Sequence, residues 1–337
     1  ERSRTARQAL DVITGLLAQH GQGGNCGYVK PLFYHNSFLI ADPREAWVLE
    51  TAGPHWAAEQ VRDIRTISNR ITIGDHWDLA SPDLVNYAVD RGWCRSRSDF
   101  HFGRCYSDLI YTRFSYAADR QCRTTDLLRA EAGRLTVQSL MRALRDHGPH
   151  VRSDWTPARG LIGATVCAHA GFGPIRISQT TGSLVSHLAT DVQTHLVTAT
   201  AAPCTSLFKP IWLGTELPDT GPTPNATYNE ASLFWRHEAL HRATLRNYAA
   251  ALPLYAAERD ALEAQFVAGA LERRARPAGE RAAYAADCFA QADEAEARWR
   301  KRVADAHLPD ARPFFYARAW RAFEQTPAHH AHGAFSA

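Results

Sequence analysis

Apolar residues first recur with a helical period near the start of the chain. Ala9, Val12, Ile13, Leu16 and Leu17 fall on one helical face. Thr5 and Gln8 form a T-x-x-Q capping box ahead of it, and Gly21 stops the helix. The pattern then changes to short apolar runs separated by turn residues. Phe38 to Ala41 is predicted as a strand, Asp42 to Glu45 as a turn, and Ala46 to Leu49 as the returning strand. Trp56 to Gln60 and Thr66 to Ile73 extend the β reading. Tight turns between short strands imply antiparallel pairing.

Helical periods return at Asp119 to Ala132 and at Thr136 to Asp146, where Thr136 is a cap and Leu140, Met141 and Leu144 face inward. Thr165 to Ala168, Ser183 to Leu188 and His195 to Thr200 again have strand character. Three prolines break the run from Glu216 to Asn229. Beyond it, Ser232 to Arg276 and Glu280 to Ala306 read as an alanine-rich helical hairpin, kinked at Pro253 and turned at Pro277-Ala278-Gly279. The pattern gives an α+β chain with a core over 1–215, a linker over 216–231, a helical region over 232–325 and a histidine-rich tail over 326–337.

Composition narrows the function class. The 337 residues are 45% hydrophobic and carry a net charge of +3 with no Lys/Arg block, which disfavours a nucleic-acid partner. No apolar run is long enough for a bilayer span. The seven cysteines are odd in number and none lies in a C-x-x-C pair. Reduced thiols in a cytoplasmic protein fit better than a disulfide framework or a zinc ribbon.

Two segments carry candidate chemistry. His237-Glu238-Ala239-Leu240-His241 is H-E-x-x-H on a predicted helix, so both imidazoles share a face. It reads either as a zinc site, with Glu258 or Glu263 as third ligand, or as a charged helix start tied by i,i+4 contacts. Ser68-Asn69 interrupts a β-branched run. Asn69 reads either as an oxyanion donor or as a turn residue bonded to its own backbone. Cys26 and Cys122 are the cysteines closest to a nucleophile's setting, Cys122 lying between Arg120 and Arg123, but no His or Asp spacing supports either.

Several stretches together resemble the secernin / peptidase C69 family. They are Ala6 to Leu17 with Gly21 to Cys26, Tyr34 to Asp42 with Ala46 to Gly53, Ile67-Ser68-Asn69 with Thr72-Ile73-Gly74, Leu135 to Met141, Ser206-Leu207-Phe208-Lys209-Pro210, and Ser232 to Glu238 with its W-R-H-E signature. The resemblance implies an Ntn-hydrolase-like αββα sandwich. It also implies hydrolysis of dipeptides or similar small amides, without metal or other cofactor, by a cysteine at the mature N-terminus whose α-amino group takes the proton. Related bile-salt and penicillin V hydrolases carry an oxyanion-stabilising asparagine, for which Ser68-Asn69 is the matching step. They also carry an arginine, for which Arg120 is the counterpart and Arg113 the competing one. Asn36 is the expected substrate contact at a hairpin end. In that family the nucleophile precedes the first helix, so none of the seven cysteines here matches it. The chain is expected to hold the supporting half of the site and to be inactive alone, with self-association between copies. The alternatives are a non-catalytic, secernin-like interaction protein and a zinc metallopeptidase that uses the His237-Glu238-Ala239-Leu240-His241 motif with Glu238 as base.

Overall fold

The computed structural model describes residues 2–27, 31, 33–107, 115–149, 151, 154–160, 164–172, 176 and 178–325. Arg113 and the tail over 326–337 lie outside them. The chain is mixed α and β and forms two compact units, Glu1–Arg134 and Leu135–Ala337. No helix among the described residues is long and apolar enough to cross a membrane.

The first unit is built on an antiparallel sheet of order β1 (Ser37–Ala41), β2 (Ala46–Ala52), β3 (His55–Gln60) and β4 (Leu79–Ala80). Gly53 turns β2 into β3 with φ 58°, a left-handed conformation that suits the first position of a two-residue hairpin turn. Successive side chains of the central strand β2 point to opposite faces. Trp47 and Leu49 pack with Ala58 against Ala6 and Leu10 of α1 (Ala6–His20). Val48 and Ala52 face the other way, into a cluster with Ile71, Ile73, Leu84 of α2 (Leu84–Asp90) and Phe102 of α3 (Phe102–Tyr106). The last helix of this unit is α4 (Ala117–Ala130).

The entry into α1 differs from a closed capping box. Thr5 Oγ1 accepts from Gln8 N at 3.1 Å, but Gln8 Oε1 accepts from Arg4 N, not from Thr5. The remaining first-turn amides are satisfied across space. Ala6 N donates to Asp42 Oδ2 at 2.7 Å and Arg7 N to Glu45 Oε1 at 3.0 Å, both acceptors on the β1–β2 turn. This docking buries Ala6, Leu10 and Leu17 and leaves Leu16 36% exposed, so the inward face is rotated from the one expected.

The segment over 66–73 is not a strand. Glu50, fully buried on β2, takes its amides instead: Thr72 N and Ile73 N donate to Oε2 at 2.6 and 2.8 Å, and Thr72 Oγ1 donates to Oε1 at 2.6 Å. Two consecutive N–H groups satisfied by one carboxylate are not available to a neighbouring strand.

The second unit opens with α5 (Val137–Leu144), closed by the reciprocal bonds of Thr136 and Ser139. Its antiparallel sheet runs β5 (Leu184–His187), β6 (Thr194–Val197), β7 (Lys209–Ile211). Pro210 is tolerated because β7 is an edge strand of that sheet. Val185, Leu196 and Phe208 pack with Val137 and Met141 of α5. Residues 165–168 form bends, not a strand.

The C-terminal helical region is α6 (Leu233–Arg246), α7 (Tyr248–Ala251), α8 (Ala256–Glu272), α9 (Ala278–Asp305) and α10 (Phe314–Gln325). A 3-10 turn holding Pro253 separates α7 from α8. Both α8 and α9 pack on β7. Along α9, Cys288, Ala292, Ala295 and Trp299 form one buried stripe, and Trp299 stacks on Tyr255 with centroids 5.2 Å apart.

Candidate active site

Asn69 lies at a bend between two pinned stretches of chain. On one side, Thr66 O accepts from Gln121 Nε2 of α4 at 3.1 Å, and Thr66 Oγ1 meets Thr125 Oγ1 at 2.5 Å. On the other side, the Glu50 carboxylate holds Thr72 and Ile73, and Arg65 Nη2 donates to Thr72 Oγ1 at 2.7 Å. Arg120, one residue before Gln121, therefore projects from α4 at the bend. Its Nη2 donates to Asn69 Oδ1 at 2.8 Å and to Ser115 O at 3.2 Å. A guanidinium only donates, so the amide atom facing it is the oxygen. The Asn69 NH2 is thereby turned away from Arg120, on an exposed residue. Burial pushes the Arg120 guanidinium down from its ordinary value.

Asn36 is not part of this pair. Its Nδ2 donates to Gln22 Oε1 at 2.9 Å, and Thr51 Oγ1 donates to the same Gln22 oxygen and to Asn36 O. Gln22 in turn donates to Gly53 O at 2.7 Å. Asn36 thus helps tie the connector after α1 to the hairpin. Cys26 and Cys122 are exposed, and the Cys26 thiol donates to Gly24 O at 3.7 Å.

In the second unit, the H-E-x-x-H residues are buried and turn to separate partners. His237 Nε2 meets Ser206 Oγ at 3.0 Å and Thr205 Oγ1 at 3.3 Å, and its Nδ1 lies 3.0 Å from Glu296 Oε1. His241 Nδ1 pairs with Glu238 Oε2 at 3.1 Å, while Glu238 Oε1 accepts from Arg242 Nε at 2.8 Å. Burial works to raise the Glu238 carboxyl, but His241 and Arg242 outweigh it and hold its pKa at about 2. The supposed third ligands are engaged as well. Glu258 pairs with Arg298 and Arg302, and Glu263 is clamped by both terminal nitrogens of Arg145 at 2.7 and 2.6 Å. The motif is thus a buried polar lattice, and its imidazoles do not converge on one point.

The same lattice absorbs the other signature. Ser206 bonds His237, Phe208 N donates to Glu263 Oε2 at 2.9 Å, and buried Lys209 donates to Thr198 O and Leu207 O. Burial pushes the Lys209 amine down, against the pull of Glu296, Asp293 and Glu263.

A further set of side chains escaped the reading by spacing. His147, Cys167, His169 and Cys204 bring their ligand atoms within 4.8 Å of one another, and the last three are buried. His169 Nε2 lies 3.1 Å from His147 Nε2, 3.5 Å from Cys167 Sγ and 3.4 Å from Cys204 Sγ. Its Nδ1 is buried without a partner, so the ring meets the group through Nε2. Cys167-x-His169 was the available signal: in extended chain, residues two apart share a side.

The model for peptidase family C69 matches residues 1–193, more than half of the chain. The chain belongs to peptidase family C69. Within this C69 peptidase, the matched span takes in Asn36, Asn69, Arg120, His147, Cys167 and His169. The signatures at 206–210 and 232–238 fall beyond it.

Proposed function

We propose that this C69 chain is the supporting part of a cysteine-type, Ntn-like αββα amidohydrolase acting on dipeptides or similar small amides. In this reading, a cysteine ahead of α1 attacks the substrate carbonyl and its α-amino group takes the thiol proton. The Asn69 NH2 donates to the oxyanion of the tetrahedral intermediate, and Arg120 fixes the amide through its oxygen. The intermediate collapses as the α-ammonium returns its proton to the leaving amine, and water then attacks the thioester, releasing the acid and restoring the thiol.

The observation that carries this reading is the 2.8 Å bond from Arg120 Nη2 to Asn69 Oδ1, which orients the primary amide of an exposed residue. Asn36 contacts substrate in this reading from a position fixed by the bond of its Nδ2 to Gln22 Oε1.

The test is labelling with a dipeptide-like electrophile, followed by peptide mapping. A cysteine preceding α1 is the expected site in the full gene product, with no turnover by the 337-residue chain alone. Labelling of Cys26, Cys122 or another of the seven cysteines, or dipeptide hydrolysis by this chain alone, would overturn it.

A further inference from the structure

The cluster at His147, Cys167, His169 and Cys204 has no role in the hydrolytic reading, and its geometry is demanding. His169 Nε2 faces three other potential ligand atoms at 3.1, 3.5 and 3.4 Å. One imidazole nitrogen offers one proton or one lone pair, and thiols are only weak donors, so it serves one such neighbour well, not three. The described surroundings are largely aromatic. The ring of Trp155 stacks on His147 with centroids 4.0 Å apart, and Tyr248, Tyr316 and Trp320 join the two cysteines in one buried apolar cluster. Nitrogen and sulfur lone pairs that converge in such an enclosure, bridged only by weak thiol donors, favour a cation between them.

We infer that His147 Nε2, Cys167 Sγ, His169 Nε2 and Cys204 Sγ form a structural zinc site. Tetrahedral zinc with Zn–N near 2.05 Å and Zn–S near 2.3 Å sets edges of about 3.4 Å for N–N and about 3.6 Å for N–S. The three separations above fall within a few tenths of an ångström of those values. Two thiolates and two imidazoles suit zinc better than magnesium or calcium, which take oxygen ligands. On binding, each thiol loses its proton to solvent and forms a Zn–S bond, while each neutral imidazole donates the Nε2 lone pair. Two thiolates balance the dication, so the filled site is electrically neutral, as an apolar enclosure favours. Four protein ligands leave no position for substrate, which makes the site a fastener and not a catalyst. It would pin the turn after α5, the 167–169 segment and the 199–206 loop. That loop bends back with Ala199 and Ala202 at φ 57° and 50°, a conformation that non-glycine residues rarely adopt.

The test is elemental analysis of the purified 337-residue chain, and it stands apart from any peptidase assay. About one zinc per chain is expected, as for a closed four-ligand site. Cys167→Ser and Cys204→Ser should abolish it. Those variants risk misfolding, so the wild-type chain is also stripped with a chelator and refilled with cobalt. Thiolate-to-cobalt charge transfer with the visible bands of tetrahedral cobalt is the expected spectrum, and zinc should restore the lost thermal stability. Three results would each overturn the site. They are substoichiometric zinc with no thiolate-to-cobalt band, a Cys167–Cys204 disulfide by intact mass, and zinc kept in Cys167→Ser but lost in His237→Ala.

Discussion

Arg120 on α4 holds Asn69 by its carbonyl oxygen, 2.8 Å away, and so decides which way the amide's donors point. An asparagine alone at a bend would rotate freely between two nearly isosteric orientations. Pairing with a group that has no acceptor removes one of them.

In a gene product that carries its nucleophile, Asn69→Ala should lower kcat for dipeptide hydrolysis by about 10²–10³-fold. Arg120→Ala should lower it in the same sense, and the double variant should lose little more than the worse single one, because the two act as a unit. Multiplicative losses in steady-state kinetics would instead mean separate roles. Asn69 is exposed, so Asn69→Ala should leave the stability within roughly 0.5 kcal/mol of wild type.

Glu50→Ala removes the acceptor for two backbone amides and one hydroxyl in a buried position. Urea unfolding should show a loss of about 3 kcal/mol or more. Glu50→Gln keeps the shape and an amide oxygen for the two backbone donors but loses the carboxylate's charge, and it should recover only part of that loss.

Acid should weaken the second unit through Glu238. Its carboxyl is held at about 2 in the folded chain, below its ordinary value of 4.5. A depressed carboxyl stabilises fully above the unfolded pKa and loses that contribution as pH falls through the folded one. The loss therefore spans pH 4.5 down to about 2, with an upper bound of about 3 kcal/mol. Chemical denaturation across that range should slope less steeply for Glu238→Gln.

Arg145 and Glu263 form a two-pronged pair, with side chains only 15% and 9% exposed. Arg145→Met should cost about 3–5 kcal/mol, since it strands the carboxylate. Pairing it with Glu263→Met should cost less than the sum of the two singles in a double-mutant cycle, although Phe208 N then loses its acceptor.

Asp42→Ala should free the Ala6 amide at the start of α1 and cost about 1 kcal/mol, as a lost helix cap does. Hydrogen exchange should speed up in the first turn of α1 more than in the sheet. Uniform acceleration would place the effect on the turn itself.

Local signals in the sequence carried over to the fold. The β1–β2 hairpin, the Thr136 cap of α5 and the helices after Ser232 all follow from residues close in the chain. The segment over 66–73 did not, because the amides of Thr72 and Ile73 go to Glu50, some twenty residues earlier, and no periodicity reports a side chain as the partner. The same limit hid the ligand-like cluster. His147 and Cys204 lie 57 positions apart, and only Cys167-x-His169 has a visible spacing. The H-E-x-x-H stretch misled in the opposite way. Its spacing suits a metal, yet flanking arginines and distant carboxylates take up its groups. Asn69 and Arg120 were both singled out from the sequence, but their bond depends on Gln121 and Thr66 aligning α4 with the bend.

The bond between Ser206 Oγ and His237 Nε2, residues 31 positions apart, joins two sequence signatures. Both side chains are fully enclosed, so replacing either one alone takes a hydrogen-bond partner from a buried polar atom of the other. The surviving substitutions at these positions should therefore be paired, and the two signatures should drift together through descent as one inherited character.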